Sequence, residues 1–405
     1  MEAWSIQTLD TVADMATDKV SVASLTLDTY ISTENMLPDR GGIELAPKLP
    51  PSGSVNAFLP GDVLFSNIRT YFKKVWLAPW PGGSSADVIV FRPKNRKQTD
   101  SRFLYYVLSS DAFIQATVTA SKGTKMPRGD KEAMKRYEIP LPPLPIQHRI
   151  AGILSAYDEL IENSQRRIKI LEEMSRALYR EWFVHFRFPG HESVPLVPSA
   201  IGDIPQGWEV RKLADFVTTK YGYTESTNVE PVGPKYLRGM DINKSSFIDW
   251  SQVPYCPISQ EDHETYRLKV GDVLVIRMAD PGKVGIVEQE VDAVFASYLI
   301  RMAPKDKRLS PYFLFYLMES AEYYAFITGA STGTTRKSAS AGVIAEYPFA
   351  LPPLGLVEQF ERRASEFRSL LTTLLEQVVN LRRTRDLLLP RLLSGQIDVE
   401  ALDHV

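Results

Sequence analysis

The stretch Leu141-Pro142-Pro143-Leu144 recurs as Leu351-Pro352-Pro353-Leu354, 210 positions further along the chain. Three other pairs share that interval: residues 61–64 and 271–274 (both GDVL), 103–108 and 313–318 (FLYYVL and FLFYLM), and 123–124 and 333–334 (both GT). Scattered matches at one interval indicate an internal duplication. The period is far too long for a solenoid repeat, so each copy is predicted to be one domain with its connector.

Each proline-rich stretch is predicted to be a stiff connector and not a helix, because proline fixes φ and biases the preceding residue toward extended structure. A long helical pattern follows each of these connectors. In both helices, apolar residues recur at spacings of three and four, which favours coiled-coil pairing. The residues predicted to form the coiled coil and to face partner subunits are Ile150, Tyr157, Leu160, Leu171, Leu178 and Trp182 in the first helix, and Phe360, Phe367, Leu371, Leu374, Leu381 and Leu388 in the second.

Helix length favours pairing of these two stripes with each other. A helix of about 35 residues is ~50 Å long, longer than its own domain is wide, so much of each stripe would otherwise lack cover. A chain that runs out and back makes the pair antiparallel, with a pseudo-twofold relation between the copies. The alternative is two amphipathic helices packed on separate domain cores.

The fold class is therefore predicted to be α+β, with two domains of mixed α/β character joined by two long helices that form an antiparallel coiled coil. Short helices are predicted over Ser101–Ser109 and 310–320, the latter with Ser310 as N-cap and Pro311 at its first position. The predicted boundaries are 1–138 for the first domain, 139–200 for the central helical spacer, 201–348 for the second domain and 349–405 for the C-terminal helical spacer.

Composition is that of an ordinary globular protein. Of 405 residues, 44% are hydrophobic and 24% charged, and the single cysteine, Cys256, excludes an internal disulfide. No apolar run approaches the ~20 residues of a membrane span. We therefore expect a cytoplasmic protein without a membrane partner. Because the net charge is only −2, any binding of nucleic acid must come from local basic patches.

Motifs for catalysis are missing from the sequence. The five histidines have no metal-ligand spacing, and there is no Gly-x-Ser-x-Gly elbow or dinucleotide-binding glycine motif. Residues 329–338 depart from the spacing of a phosphate-binding loop. The Asn/Asp-Pro-Pro-Tyr motif of adenine methyltransferases is also missing. We assign no catalytic residue, no metal ligand and no cofactor to this chain.

Basic residues mixed with hydroxyl and aromatic side chains give a stronger signal, because cations and backbone NH groups contact phosphates and arginine can read guanine. Loop 123–128 and its counterpart 333–338 are basic in both copies, and Arg277 and Lys283 correspond roughly to Arg69 and Lys73. The alternative is a solvated surface loop, and the tyrosines could serve packing. The candidate DNA-binding residues are Arg69, Lys73, Lys74, Lys122, Lys125, Arg128, Lys220, Tyr221, Arg238, Arg277, Lys283, Thr335, Arg336 and Lys337.

Four phrases, in this order and with the repeat, resemble the specificity subunit of type I restriction-modification systems along essentially the whole chain. They are LPPLPIQ at 141–147, LYREWF at 178–183, IGDIPQGWEV at 201–210 and LLLPRLLSG at 387–395. The resemblance implies a non-catalytic reader of bipartite, asymmetric double-stranded DNA in a prokaryotic cytoplasm, in which the two mixed domains are target-recognition domains. It also implies two methylation subunits, which carry S-adenosylmethionine, and translocating, DNA-cutting restriction subunits as partners.

This sequence departs from a perfect repeat after the proline-rich stretch. Gln147 follows Pro145-Ile146, whereas Gln359 follows Gly355-Leu356-Val357-Glu358, so the two helices are predicted to be out of step by about two residues.

Two rival functions are also compatible with the sequence. One is a coiled-coil scaffold that binds proteins but not DNA, and the other is a single-chain restriction-modification enzyme.

Overall fold

The computed structural model describes residues 4–243, 245–332 and 337–401. The chain forms two compact units, the first made of Met1–Ser164 and Glu376–Val405, the second of Gln165–Leu375. Each unit contains one mixed domain and part of each of two long helices. The finer domain boundaries drawn from the sequence stay a prediction.

The first unit carries its strands in three antiparallel groups, except that β4 and β8 pair in parallel. Its strands are β1 (Ser5–Thr8), β2 (Ala13–Met15), β3 (Lys19–Ser21), β4 (Tyr30–Ile31), β5 (Ser54–Phe58), β6 (Val63–Ser66), β7 (Val75–Leu77), β8 (Gly82–Ser84), β9 (Val88–Pro93) and β10 (Glu138–Leu141). The strand orders are β1-β10, β2-β9-β6-β7 and β3-β5-β8-β4. The helices are α1 (Leu9–Val12), α2 (Ser101–Ser109), α3 (Asp111–Thr119), α4 (Lys131–Lys135) and α5 (Leu144–Tyr179), which continues into the second unit.

The second unit repeats this plan. Its strands are β11 (Leu196–Val197), β12 (Ile204–Pro205), β13 (Glu209–Lys212), β14 (Val217–Tyr221), β15 (Lys235–Leu237), β16 (Val273–Ile276), β17 (Val284–Ile286), β18 (Ala293–Phe295), β19 (Leu299–Pro304) and β20 (Pro348–Leu351). The strand orders are β11-β12, β13-β20, β14-β19-β16-β17 and β15-β18. The helices are α6 (Gly239–Ile242), α7 (Gln260–Tyr266), α8 (Pro311–Glu319), α9 (Ala321–Ala330), α10 (Ala341–Ala345) and α11 (Leu354–Leu393). The four-stranded sheets β2-β9-β6-β7 and β14-β19-β16-β17 are the repeated framework.

The repeated Gly-Asp-Val-Leu motif has a structural role at the start of β6 and β16. Gly61 has a φ of 85°, a backbone conformation that favours glycine. The side chain of Asp62 accepts a backbone NH three residues earlier at 2.8 Å and pairs with Arg92 of the neighbouring strand at 2.8 Å. Asp272 repeats the turn and lies 3.5 Å from Arg301. The motif therefore fixes the entry into the central strand of each sheet.

The two long helices pack in opposite directions within each unit. In the first unit, Ile150 and Leu154 near the start of α5 share a core with Leu389 and Leu392 near the end of α11. In the second unit, the end of α5 and the π-helical turn after it (Arg180–Val184) pack on the start of α11 through residues that include Tyr179, Trp182, Val357 and Phe360. This antiparallel packing, with the repeated domains, confirms the predicted fold class.

One predicted stripe position is wrong by one residue. Leu160 is 50% exposed, whereas its neighbour Ile161 is buried in the described structure. The buried residues Ile161, Ser164, Ile168 and Leu171 of α5 follow one another at spacings of three and four. Where two apolar residues are adjacent, the sequence fits either register, and burial in the folded chain selects Ile161.

The predicted two-residue slip between the helices is also wrong. Helices α5 and α11 begin at Leu144 and Leu354, which preserves the interval of 210. The buried residue in α11 equivalent to Gln147 is thus Val357, while Gln359 is exposed. Gln147 instead donates to the backbone oxygens of Gln98 and Pro142, at 2.8 Å in each case.

Among the described residues, no helix is long and apolar enough to cross a membrane.

Replacement of Ile161 by alanine should destabilise the full chain by roughly 2–5 kcal/mol, because the change leaves a cavity on the buried side of α5. Leu160→Ala is the matched control, and its cost should stay below about 0.5 kcal/mol because that side chain is half exposed. Urea unfolding of both variants measures the difference. An equal loss of stability from the two substitutions would contradict the buried register of α5.

Candidate nucleic-acid interface

In the first unit, the basic loop 122–128 is held against the turn that follows β6. The backbone groups of Lys122 and Arg128 exchange hydrogen bonds of 2.9 and 3.0 Å, which close the loop. The backbone NH of Arg69 donates to the oxygen of Pro127 at 2.8 Å, and Ile68 pairs with Arg128. The loop and the turn therefore form one backbone framework, although they lie far apart in the sequence.

This framework contains unfavourable backbone conformations. Arg69 and Lys73 have φ values of 49° and 52°, and Asp39 and Arg40 have 52° and 60°. The NH groups of Asp39 and Arg40 donate to the oxygens of Phe72 and Lys73, at 2.9 and 3.0 Å, which joins the two segments. Left-handed conformations of side-chain-bearing residues cluster at functional sites, so this turn is a candidate for function.

Several predicted cations lie on this framework. Arg69 donates to the backbone oxygen of Lys125 at 3.3 Å, and Lys125 itself is exposed. Arg128 lies 3.0 Å from Asp87, and Lys122 lies 2.5 Å from Asp130, where its ammonium lowers the pKa of that carboxyl group. The loop and turn thus bring Arg69, Lys122, Lys125 and Arg128 together.

Lys73 and Lys74 are held by other parts of the unit. Lys73 forms an ion pair with Asp111 at 2.8 Å. Lys74 donates to the backbone oxygen of Thr33 at 2.7 Å, and burial lowers its pKa. Lys74 therefore has a structural partner away from the basic loop.

Two exposed aromatic side chains complete this surface. Tyr71 and Phe72 are 48% and 41% exposed, and their ring centroids lie 4.8 Å apart. They occupy the 3-10 turn Thr70–Phe72, between Arg69 and Lys73. The sequence places these aromatics among cations, but it gives no sign that both would face solvent.

The second unit holds its equivalent loop in the same way. Thr332 and Ser338 exchange backbone hydrogen bonds of 3.0 and 2.9 Å, and the NH of Ala279 donates to the oxygen of Lys337 at 3.0 Å. Ala279 has a φ of 72°, and it is the position equivalent to Arg69. Lys337 is exposed. Thr335 and Arg336 lie outside the described residues.

The rough correspondence of Arg277 with Arg69 is wrong. The preserved interval makes Arg277 equivalent to Asn67, and only Lys283 matches its expected counterpart, Lys73. Arg277 lies 5.0 Å over the ring of Tyr221 and donates to the oxygen of Ser297 at 3.3 Å.

Tyrosines contact both of these cations. Tyr221 accepts the NH of Ala341 at 3.0 Å, which ties the Arg277–Tyr221 pair to the start of α10. The ammonium of Lys283 lies 5.0 Å from the ring centroid of Tyr324. Lys283 is exposed and Arg277 is half-buried, so the two cation–π contacts orient one cation at the surface and one partly below it.

Two further candidates of the second unit have local partners. Lys220 donates to the oxygen of Thr265 at 2.9 Å, and its neighbour Tyr221 points to the opposite face of β14. Arg238 forms a two-contact ion pair with Asp241 at 2.9 and 2.8 Å.

Among the described residues, no cluster of His, Cys, Asp or Glu could hold a metal ion.

The chain matches the family described as "Type I restriction modification DNA specificity domain" over residues 59–173 and 205–362, more than half of its length. It is 26% identical over 317 residues to the type I restriction enzyme MjaIX specificity subunit of Methanocaldococcus jannaschii, covering 75% of this chain and 70% of that protein. It is 28% identical over 165 residues to the EcoDI specificity subunit of Escherichia coli, covering 39% and 36%.

The fold is similar to that of a crystal structure of the type I restriction-modification S subunit from M. genitalium. The TM-score is 0.60 at 16% sequence identity, over 96% of both chains. The chain belongs to the family of type I restriction-modification DNA specificity subunits. The resemblance seen in its sequence is therefore confirmed, and the matches favour neither rival function. The residues that contact DNA or partner subunits stay predictions.

Gly129→Ala should disturb the framework under the basic loop. A Cβ atom there would lie 2.3 Å from Cε of the buried Met134 and 2.9 Å from Oδ1 of Asn67. Both atoms end side chains that can shift, so the overpacking should cost about 1 kcal/mol, the low end of its usual range, and lower the urea midpoint of the chain. Gly152→Ala is the control, because its Cβ would meet nothing within 4 Å. In that helical position alanine should stabilise by up to about 1 kcal/mol. A shift of both midpoints in the same direction would argue against close packing around Gly129.

Proposed function

We propose that this chain reads a bipartite, asymmetric DNA sequence, one part with each recognition domain. The observation that supports the proposal most directly is the equivalent backbone hydrogen bond in both units, from the NH of a left-handed residue, Arg69 or Ala279, to the oxygen of Pro127 or Lys337. The same framework presents different side chains in the two units. Two similar surfaces with different side chains suit a site whose two parts differ in sequence.

The loop cations supply the attraction to DNA in this proposal. With a net charge of −2, the chain as a whole does not attract a polyanion, so local groups such as Lys125 and Lys337 must contact phosphates. Arginine side chains held by aromatic or carboxylate partners, such as Arg277 and Arg128, are suited to base edges because their orientation is restricted. Tyr71 and Phe72 can cover sugar or base surfaces beside them.

The partners in the proposal are two methylation subunits and the restriction subunits that translocate and cut DNA. S-adenosylmethionine would be bound by the methylation subunits, and this chain would be a non-catalytic recognition subunit in a prokaryotic cytoplasm. Family membership supports an assembly of this kind. The predicted helix residues, among them Tyr157 and Phe367, are the proposed docking positions for those subunits.

The proposal is tested with the chain assembled with its methylation subunits. Mapping methylated adenines in DNA from cells that carry the system should reveal one split, asymmetric motif. Binding of a duplex with that motif should fall steeply between about 50 and about 200 mM salt, as counterion release requires. No sequence-selective binding at low salt would favour the scaffold alternative, and methylation by this chain alone would favour the single-chain enzyme.

Lys125→Ala should weaken DNA binding similarly for specific and unrelated duplexes, and reduce the salt dependence by about one phosphate contact. Lys94→Ala is the control. Lys94 follows the far end of β9, about 23 Å along the strand, at about 3.3 Å per residue, from Asp87, the partner of Arg128 in the basic loop. Equilibrium titrations at several salt concentrations measure both variants. Equal effects of the two substitutions would argue against the basic loop as the DNA contact.

A further inference from the structure

Arg368 of α11 is among the largest fully buried side chains of the described structure, with 1% exposure. Its guanidinium group makes four hydrogen bonds to the recognition domain of the second unit. Nε donates to Glu288 Oε1 at 2.7 Å and Nη2 to Glu288 Oε2. Nη1 donates to Ser246 Oγ at 3.0 Å, and Nη2 also to the Ser246 backbone oxygen at 2.8 Å. One helix residue thus binds two separate loops of that domain.

The geometry of this contact is closely defined. Burial opposes the charged form of Arg368. The hydrogen bonds to Glu288 and the negative charge of that carboxylate outweigh this cost and raise the pKa of Arg368. Tyr312 donates to the same carboxylate at 3.1 Å. A two-point contact between arginine and a carboxylate fixes the direction of approach as well as the distance.

A second polar contact lies one heptad earlier on the same helix. Glu361 accepts hydrogen bonds from Ser310 Oγ at 2.6 Å and from the NH of Tyr312 at 3.1 Å. Ser310 occupies the N-cap position of α8 but makes no capping hydrogen bond itself, so Glu361 takes its place. The heptad spacing of Glu361 and Arg368 puts both on one face of α11, about 10 Å apart.

Among the described residues, the first unit makes a different polar contact at the position of Arg368, where Asp158 accepts a hydrogen bond from Tyr106 of its own domain at 2.7 Å. At the preserved interval, Glu361 corresponds to Ala151, Arg368 to Asp158 and Glu288 to Ala78. Apolar packing between a helix and a domain tolerates small rotations, whereas paired directional hydrogen bonds do not. Both domains thus make directional contacts with a long helix, but the buried arginine–glutamate pair belongs to the second domain and is not part of the duplication.

We propose that Arg368 and Glu361 are positioning residues that fix the orientation of the second recognition domain on α11, and with it the register in which that domain meets its part of the DNA site. This inference rests on the proposed function. It identifies residues that touch no DNA and yet govern how strictly the length of the nonspecific spacer is read.

The test is the double variant Glu288→Leu with Arg368→Met, in the full chain assembled with its methylation subunits. Apolar replacement of a buried ion pair often leaves stability unchanged while removing its directional constraint. The probes are duplexes with the mapped motif and the same motif with its spacer longer or shorter by one base pair. We expect thermal stability to be retained and the preference for the mapped spacing to fall by about tenfold, comparable to one lost base contact.

Two further variants keep the test decisive. Arg308→Gln with Asp306→Asn removes an ion pair internal to the second domain, 2.7 Å long, and should leave the preference unchanged. If the double variant does not fold, Arg368→Lys keeps the charge but not the two-point contact, and should also reduce the preference. A folded variant of either kind with wild-type spacing preference overturns the inference. Failure of the wild-type complex to bind the mapped motif would instead overturn the proposed function.

Discussion

Burial of one apolar stripe on each long helix is the constraint on which the rest of the structure depends. Helix α5 has 36 residues and α11 has 40. At a helical rise of about 1.5 Å per residue, each is roughly 50 to 60 Å long. Each unit covers part of both stripes with its own domain and with the opposite end of the other helix. Ile150 with Leu389 in the first unit, and Trp182 with Phe360 in the second, are examples. Neither domain could therefore form its complete core without both helices.

The repeated framework has the same backbone features in both units but carries different side chains. Asp62 and Asp272 precede the equivalent strands β6 and β16, and Arg69 and Ala279 both have left-handed backbone conformations, but the residues exposed beside them differ. Tyr71 has proline as its counterpart at position 281. A framework held by backbone hydrogen bonds tolerates such changes, because its geometry does not depend on the side chains it presents. The candidate interface can thus vary while the fold does not.

Local signals in the sequence predicted the elements that local physics determines. The helix predicted at Ser101–Ser109 is α2, and Pro311 begins α8 as its fixed φ requires. The prediction that Leu160 lies on the buried stripe was wrong because the adjacent Ile161 fits the same spacing, and only packing distinguishes the two residues. The partner of Ser310 could not be predicted either. Its hydroxyl bonds Glu361, 51 residues away, and no sequence pattern links such positions.

Buried charge shows why the two halves of the duplication are not interchangeable. In the first unit, Asp158 accepts hydrogen bonds from Tyr106 at 2.7 Å and from Arg385 at 2.6 Å. The equivalent positions in the second unit hold Arg368 in place of Asp158 and Ser175 in place of Arg385. Exchange of either helix segment would leave a buried charge without its partner, which costs several kcal/mol. Each domain is therefore matched to its own helix segments, so the asymmetry of the reader extends from its surface to its core.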